Sequence, residues 1–217
     1  MSNTLNEPFQ GALRLRGNLY GGMKYFRTNV ETGASHNADG DRVCALTDDF
    51  LLGFRDALMY EVGQSYGQVM KQCGRTWGKQ FANKFLQKLQ KEYNELPAEL
   101  GIRTIVTCLS DAFTAHGWGR LSIQRIDEDA ATLVIVLQNS ILPDLVIESD
   151  QHEDFIWTGF FAAFWGVVLG KTLDAVQIEC VTRNGRFSRF VVAPKEDLEK
   201  QVAFVQSETF ENGQEVG

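Results

Sequence analysis

Between Phe155 and Gly170 the chain reads FIWTGFFAAFWGVVLG, sixteen residues without a charge. A bilayer span needs about 20 apolar residues, and Glu148, Asp150, Glu153 and Asp154 crowd the start of this run. The segment is therefore expected to be a helix buried inside a globular domain. On a helical wheel Gly159, Ala163, Gly166 and Gly170 fall on one side, while Phe160, Phe161, Phe164 and Trp165 occupy much of the rest. The small face suits close backbone approach, either to a helix of the same chain or across a dimer seam.

A helix apolar on most sides must be surrounded, and 217 residues with 44% hydrophobic content can do it. A chain of this length buries roughly 70% of its unfolded surface, so its core needs neither disulfides nor a metal. The 21 basic and 28 acidic side chains leave a net charge of −7, which argues against sequence-independent binding to nucleic acid or to an anionic membrane. The densest basic stretch, Lys71 to Lys91, is interleaved with apolar residues and reads as a solvated helix face. Cys44, Cys73, Cys108 and Cys180 lie far apart with no CxxC pair, the pattern of reduced thiols in a cytoplasmic protein. MSNTLNEPFQ lacks the features of a signal peptide.

Along the chain, residues 1–46 read as an irregular extension with short strands only at Leu13 to Tyr20 and Val43 to Leu46, and ETGASHNADGD as a polar loop. Thr47 with Asp48 and Asp49 predicts a helix start, followed by Phe50, Leu51, Phe54, Leu58 and Val62 at helical spacing. A second helix spans about Gln64 to Tyr93, carrying Trp77, Phe81, Phe85 and Leu89, with Gly74 a candidate interruption. Pro97 suits the first turn of a third, which ends at His116-Gly117.

The period then changes to two. Leu121, Ile123 and Ile126 alternate with polar residues, DEDA makes a turn, and ATLVIVLQ returns. After the apolar helix, Val176, Ile178 and Cys180 alternate, Asn184-Gly185 signals a hairpin, and Phe187 to Val192 returns towards Pro194. A last helix covers about Lys195 to Gln206 and a flexible tail 207–217. The order ααα-ββ-α-ββ-α predicts an α+β fold with an antiparallel sheet of about four strands.

GxGxxG, GxxxxGK[ST], GxSxG and HExxH are all absent. The three histidines are His36, in a polar loop, His116, placed to cap a helix C-terminus, and His152, beside the apolar helix. Cys108 and His116 are eight residues apart on one helix, too far for a thiolate–imidazole pair. No catalytic residue is assigned.

The segment HGWGRLSIQRIDEDAATLVIVLQNSI, the helix WTGFFAAFWGVVLGK, the strands VQIECVTRNGRFSRFVVAP and, upstream, GQSYGQVMKQCGRTWGKQFANKF together resemble the 4-vinyl-reductase-type domain family over about Thr47 to Pro194. The resemblance implies a ligand-binding fold related to phenol- and toluene-sensing domains and to vesicle-tethering TRAPP-type subunits, spanning 47–206 here. It implies a homodimer holding a small hydrophobic molecule, with a tetrapyrrole or chlorophyll precursor and a role in chlorophyll metabolism or photosystem assembly as the specific form. It also turns Trp118, Trp157, Phe161, Phe164 and Trp165 from ordinary core residues into expected pocket walls. The location that follows is cytoplasmic, peripheral to a photosynthetic membrane.

Metal-binding members of the family hold zinc at positions that correspond to Asp154, Gln177, Cys180 and Ser188. Only Cys180 keeps its ligand type, with Asp154 competent beside it, and one thiolate with one carboxylate is a poor zinc site. No structural zinc is expected. The leading reading is a non-enzymatic binding protein, and its rivals are a vinyl reductase or an accessory subunit of one, and a ligand-free assembly scaffold.

Overall fold

The computed structural model describes residues 25–37, 40–95, 100–146, 149, 152–183 and 185–213, with 208–213 as backbone only. The expected strand at Leu13 to Tyr20 and the expected helix start at Pro97 lie outside the described residues.

A small antiparallel sheet comes first: β1 (Phe26–Asn29), β2 (Ala34–Asn37) and β3 (Arg42–Val43), in that order. Its second strand runs through the polar segment read as a loop. No apolar alternation announces it, because turn chemistry sets its register. The Asn29 carboxamide oxygen accepts the N–H groups of Glu31 and Thr32, and Gly33 completes the turn at φ +66°.

Three helices follow: α1 (Asp48–Val62), α2 (Tyr66–Tyr93) and α3 (Ile102–His116). α1 starts after Thr47 as expected, although the Thr47 side chain makes no cap bond. Its apolar stripe does not enter the core: no residue of α1 is buried, and Phe50 and Phe54 are 54% and 49% exposed. What ties α1 down is Arg55, whose guanidinium donates twice to the buried Glu153 carboxylate, at 2.7 and 3.0 Å. Ser149 donates to the same carboxylate at 2.6 Å.

The main sheet comprises β4 (Arg120–Asp127), β5 (Thr132–Gln138), β6 (Leu173–Glu179) and β7 (Ser188–Pro194), antiparallel throughout in the order β4-β5-β7-β6. Two predicted hairpins therefore join through β5 and β7. The short α4 (Ile141–Leu145) follows β5, the buried α5 (Phe155–Leu169) leads to β6, and α6 (Leu198–Gly213) closes the chain. Leu133, Ile135, Leu137, Phe190 and Val192 face the large core shared with α2, α3 and α5. Val134, Val191 and Ala193 face Leu198 and Val205 of α6. Cover on both faces explains why TLVIVL in β5 is apolar without alternation.

α2 is unbroken at Gly74, because that glycine is a contact point rather than an interruption. A Cβ added to Gly74 would land on the Ile156 carbonyl oxygen, and one on Gly159 would land on the Lys71 carbonyl oxygen. At Gly78 it would lie 2.5 Å from the Phe160 oxygen. The small residues of α2 and α5 thus let the two backbones touch within one chain. None of the helices among the described residues is long and apolar enough to cross a membrane.

Candidate functional site

Trp77, Phe81 and Phe85 recur every four residues on α2 and form one stripe, with Lys84 and Lys88 beside it at the same spacing. At the end of α3, Gly117 takes a left-handed conformation (φ +70°), and the Trp118 N–H returns to the Phe113 carbonyl at 3.0 Å. Gly119, at φ +119°, would bring a Cβ to 2.6 Å from the Gln138 oxygen. The Gly-Trp-Gly sequence thus has a backbone reason, and it turns Trp118 onto the α2 stripe. Trp118 meets Trp77 edge-on at 5.0 Å and Phe81 at 5.7 Å.

His116 stacks on Trp118 at 4.2 Å, and its Nδ1 donates to the Ala112 carbonyl at 2.7 Å. The helix-end role expected of this residue is thereby combined with a place in an aromatic wall. Phe26 of β1 and Tyr25 just before it meet the His116 ring edge-on at 5.3 and 5.2 Å. Between the small sheet and this wall lies a cavity of about 230 Å³, bordered by Tyr25, Trp77, Phe81, Phe85, His116 and Trp118, with Asp41, Lys84 and Lys88 as its charged groups.

Of the five residues expected to form a pocket, only Trp118 borders this cavity. Trp157 lies beneath it, packed against Trp77 and Phe113, and Phe164 packs against Phe81, Phe85 and Phe160. Phe161 stacks on Phe113 and meets Phe190 of the sheet, while Trp165 is fully buried against Phe164. Its indole N–H has no acceptor among the described residues. Sequence reading missed Tyr25, Asp41, Trp77, Phe81, Lys84 and Phe85; the four-residue recurrence on α2 was the available signal.

The positions corresponding to the family's metal ligands also converge, at the start of α5. Ser140 donates to one oxygen of Asp154 at 2.6 Å, and the Gln177 amide approaches the other at 3.3 Å. That amide also lies 3.2 Å from the Ser188 hydroxyl and 3.1 Å from the Glu179 carbonyl, while the Asp154 N–H donates to the Gln177 oxygen. Cys180 is 3.0 Å from the Thr182 hydroxyl instead. Three of the four positions are therefore knitted by hydrogen bonds suited to an amide, a hydroxyl and a carboxylate. Among the described residues no group of three His, Cys, Asp or Glu is placed to hold a metal.

Burial pushes the Asp154 carboxyl up to about 6, against hydrogen bonds from Ser140 and Ser188 and with help from the nearby Asp144 and Glu153 charges. His152, on the edge of a second cleft with Phe155, Lys71 and Gln177, is held below its ordinary value chiefly by burial.

Chains of similar fold occur among solved proteins. The phenol-responsive sensory domain of the transcription activator PoxR, solved with phenol, aligns over 82% of this chain and 90% of its own at 16% identity, TM-score 0.66. A trafficking protein particle complex subunit 3 from Naegleria fowleri, covalently bound to palmitic acid, aligns over 68% and 95% at 15% identity, TM-score 0.51. A vinyl-4-reductase family protein from Methanocaldococcus jannaschii aligns over 69% and 82% at 15% identity, TM-score 0.44. The first two are of kinds named by the sequence resemblance, and at such identities their likeness to this chain is one of fold. No family model matches the chain, and no curated protein sequence matches it.

Proposed function

We propose that this protein works by binding a small apolar molecule in the cavity between its N-terminal sheet and α2. The observation that carries the reading is the aromatic wall of Trp77, Phe81, Phe85 and Trp118 around open volume. Such a wall holds flat rings by area burial and by edge and face contacts. The relatives in fold solved with phenol and with palmitic acid support an apolar ligand by analogy only. At about 230 Å³ the cavity lies below the roughly 300–1,000 Å³ of pockets for drug-sized ligands, and fits one or two rings. A tetrapyrrole, and with it a role in chlorophyll metabolism or photosystem assembly, is the larger form of the same proposal and needs the small sheet to swing aside.

Titration with 2-naphthol, read by tryptophan fluorescence, tests it. Saturable quenching is expected, with affinity about tenfold weaker in Trp118→Ala and Phe81→Leu, the loss of one aromatic contact. Unchanged affinity in two folded variants would remove the cavity from consideration.

The proposal includes a homodimer, with α1 at the seam. A fifteen-residue helix without one fully buried side chain, tied to its own chain by the Arg55–Glu153 pair, leaves Phe50 and Phe54 exposed for a second copy to cover. Sedimentation velocity is expected to give twice the chain mass for the wild type and a monomer for Phe54→Asp. A monomeric wild type at tens of micromolar would dismiss the seam.

A further inference from the structure

The charged groups of the cavity are already arranged around a carboxylate. Asp41 accepts from Lys84 on one oxygen and from Lys88 on the other, both at 3.2 Å. Two hydrogen bonds hold it to the end of β2: the Asp41 N–H donates to the Asn37 side chain at 2.9 Å, and the Gly40 N–H to the Asn37 carbonyl at 3.0 Å. The Asn37 amide in turn donates to the Tyr25 hydroxyl at 3.3 Å. The small sheet meets the aromatic wall through the rings of Tyr25 and Phe26 on His116, and meets α2 through the Asp41 pairs.

Partial burial works against ionisation of Asp41, but the hydrogen bonds and charges of Lys88 and Lys84 prevail and hold its carboxyl below the usual range. The two ion pairs are half-exposed and individually weak. Exchanging one carboxylate for another between the same two lysines therefore costs little, and burial of the attached ring against Trp77, Phe81 and Trp118 adds to affinity.

We infer that the occupant of this cavity is a planar apolar acid, whose carboxylate replaces Asp41 between Lys84 and Lys88. The β1–β3 sheet is then a lid over the aromatic wall, and Asp41 its latch. The inference rests on the cavity being the binding site, and adds the chemical class of the ligand and the means of opening.

The test compares 2-naphthoate with 2-naphthol, rings of equal size differing in charge, at neutral pH and low salt on the full chain. Naphthoate is expected to bind about tenfold more tightly, and 0.5 M NaCl to erase most of the difference. Asp41→Asn removes the internal competitor as well as the latch, so it should tighten naphthoate by several-fold more than it tightens naphthol. Lys84→Met with Lys88→Met should bring the two ligands to equal affinity. Equal binding of both probes to the wild type and to Asp41→Asn overturns the acid specificity and leaves the cavity as the site. Binding of neither overturns both.

Discussion

Gly159→Ala is expected to cost about 3 kcal/mol or more, a large share of the ~5–15 kcal/mol that stabilises a domain. The added methyl has nowhere to go. It would occupy the position of the Lys71 carbonyl oxygen, and the opposing surface is backbone rather than a flexible side chain. Relief requires the helices to separate along their contact, from Gly74 and Gly78 on α2 to Ile156 and Phe160 on α5. The same change at Gly53 of α1 meets nothing within 4 Å in its own chain and, made in the Phe54→Asp monomer, should stabilise by a few tenths to 1 kcal/mol through helix propensity. Urea midpoints of both variants decide the matter. A Gly159→Ala midpoint at or above that of the wild type would show that the crossing is looser than described.

Elements whose burial imposes a period were legible from the chain. The charge-free run became α5, and alternation at Leu121, Ile123 and Ile126 became β4. Gly74 was legible only as a breaker, because a propensity argument sees the missing side chain and cannot see Ile156 lying 82 residues away against it. The α1 stripe was correctly helical, but a period does not say which surface it meets. The aromatic core was expected to be the pocket, and its most apolar members, Phe161, Phe164 and Trp165, instead fill the interior. Open volume lies at the edge of that cluster, where a sheet with no apolar alternation covers it. Lys84 and Lys88 read as a solvated face, since their partner Asp41 is 43 and 47 positions distant in a loop.

Asp154→Asn is expected to raise stability at pH 7 by roughly 3 kcal/mol and to remove one component of the protein's pH dependence. The folded-state value of about 6 lies above the ordinary 3.8, and each pH unit between the two is worth about 1.36 kcal/mol. Since the folded pKa is raised, the native state binds the proton more tightly than the unfolded chain. The ionised carboxylate costs its full amount above about pH 6, and stability from this group rises as pH falls to about 4, then levels. An asparagine amide can turn its N–H₂ towards Ser140 and its oxygen towards the Gln177 amide, so the neutral network keeps its partners. Asp41 and Asp174, whose values are lowered by lysine and arginine neighbours that outweigh burial, act with the opposite sign and lose stability as acid protonates them. The difference between wild type and variant cancels those contributions. Urea unfolding of both proteins at half-unit steps from pH 4 to 7.5 should show the gap widening with pH and saturating just above 6. A gap independent of pH would mean that Asp154 is ionised throughout, with Ser140, Ser188 and Gln177 together replacing the water it lost.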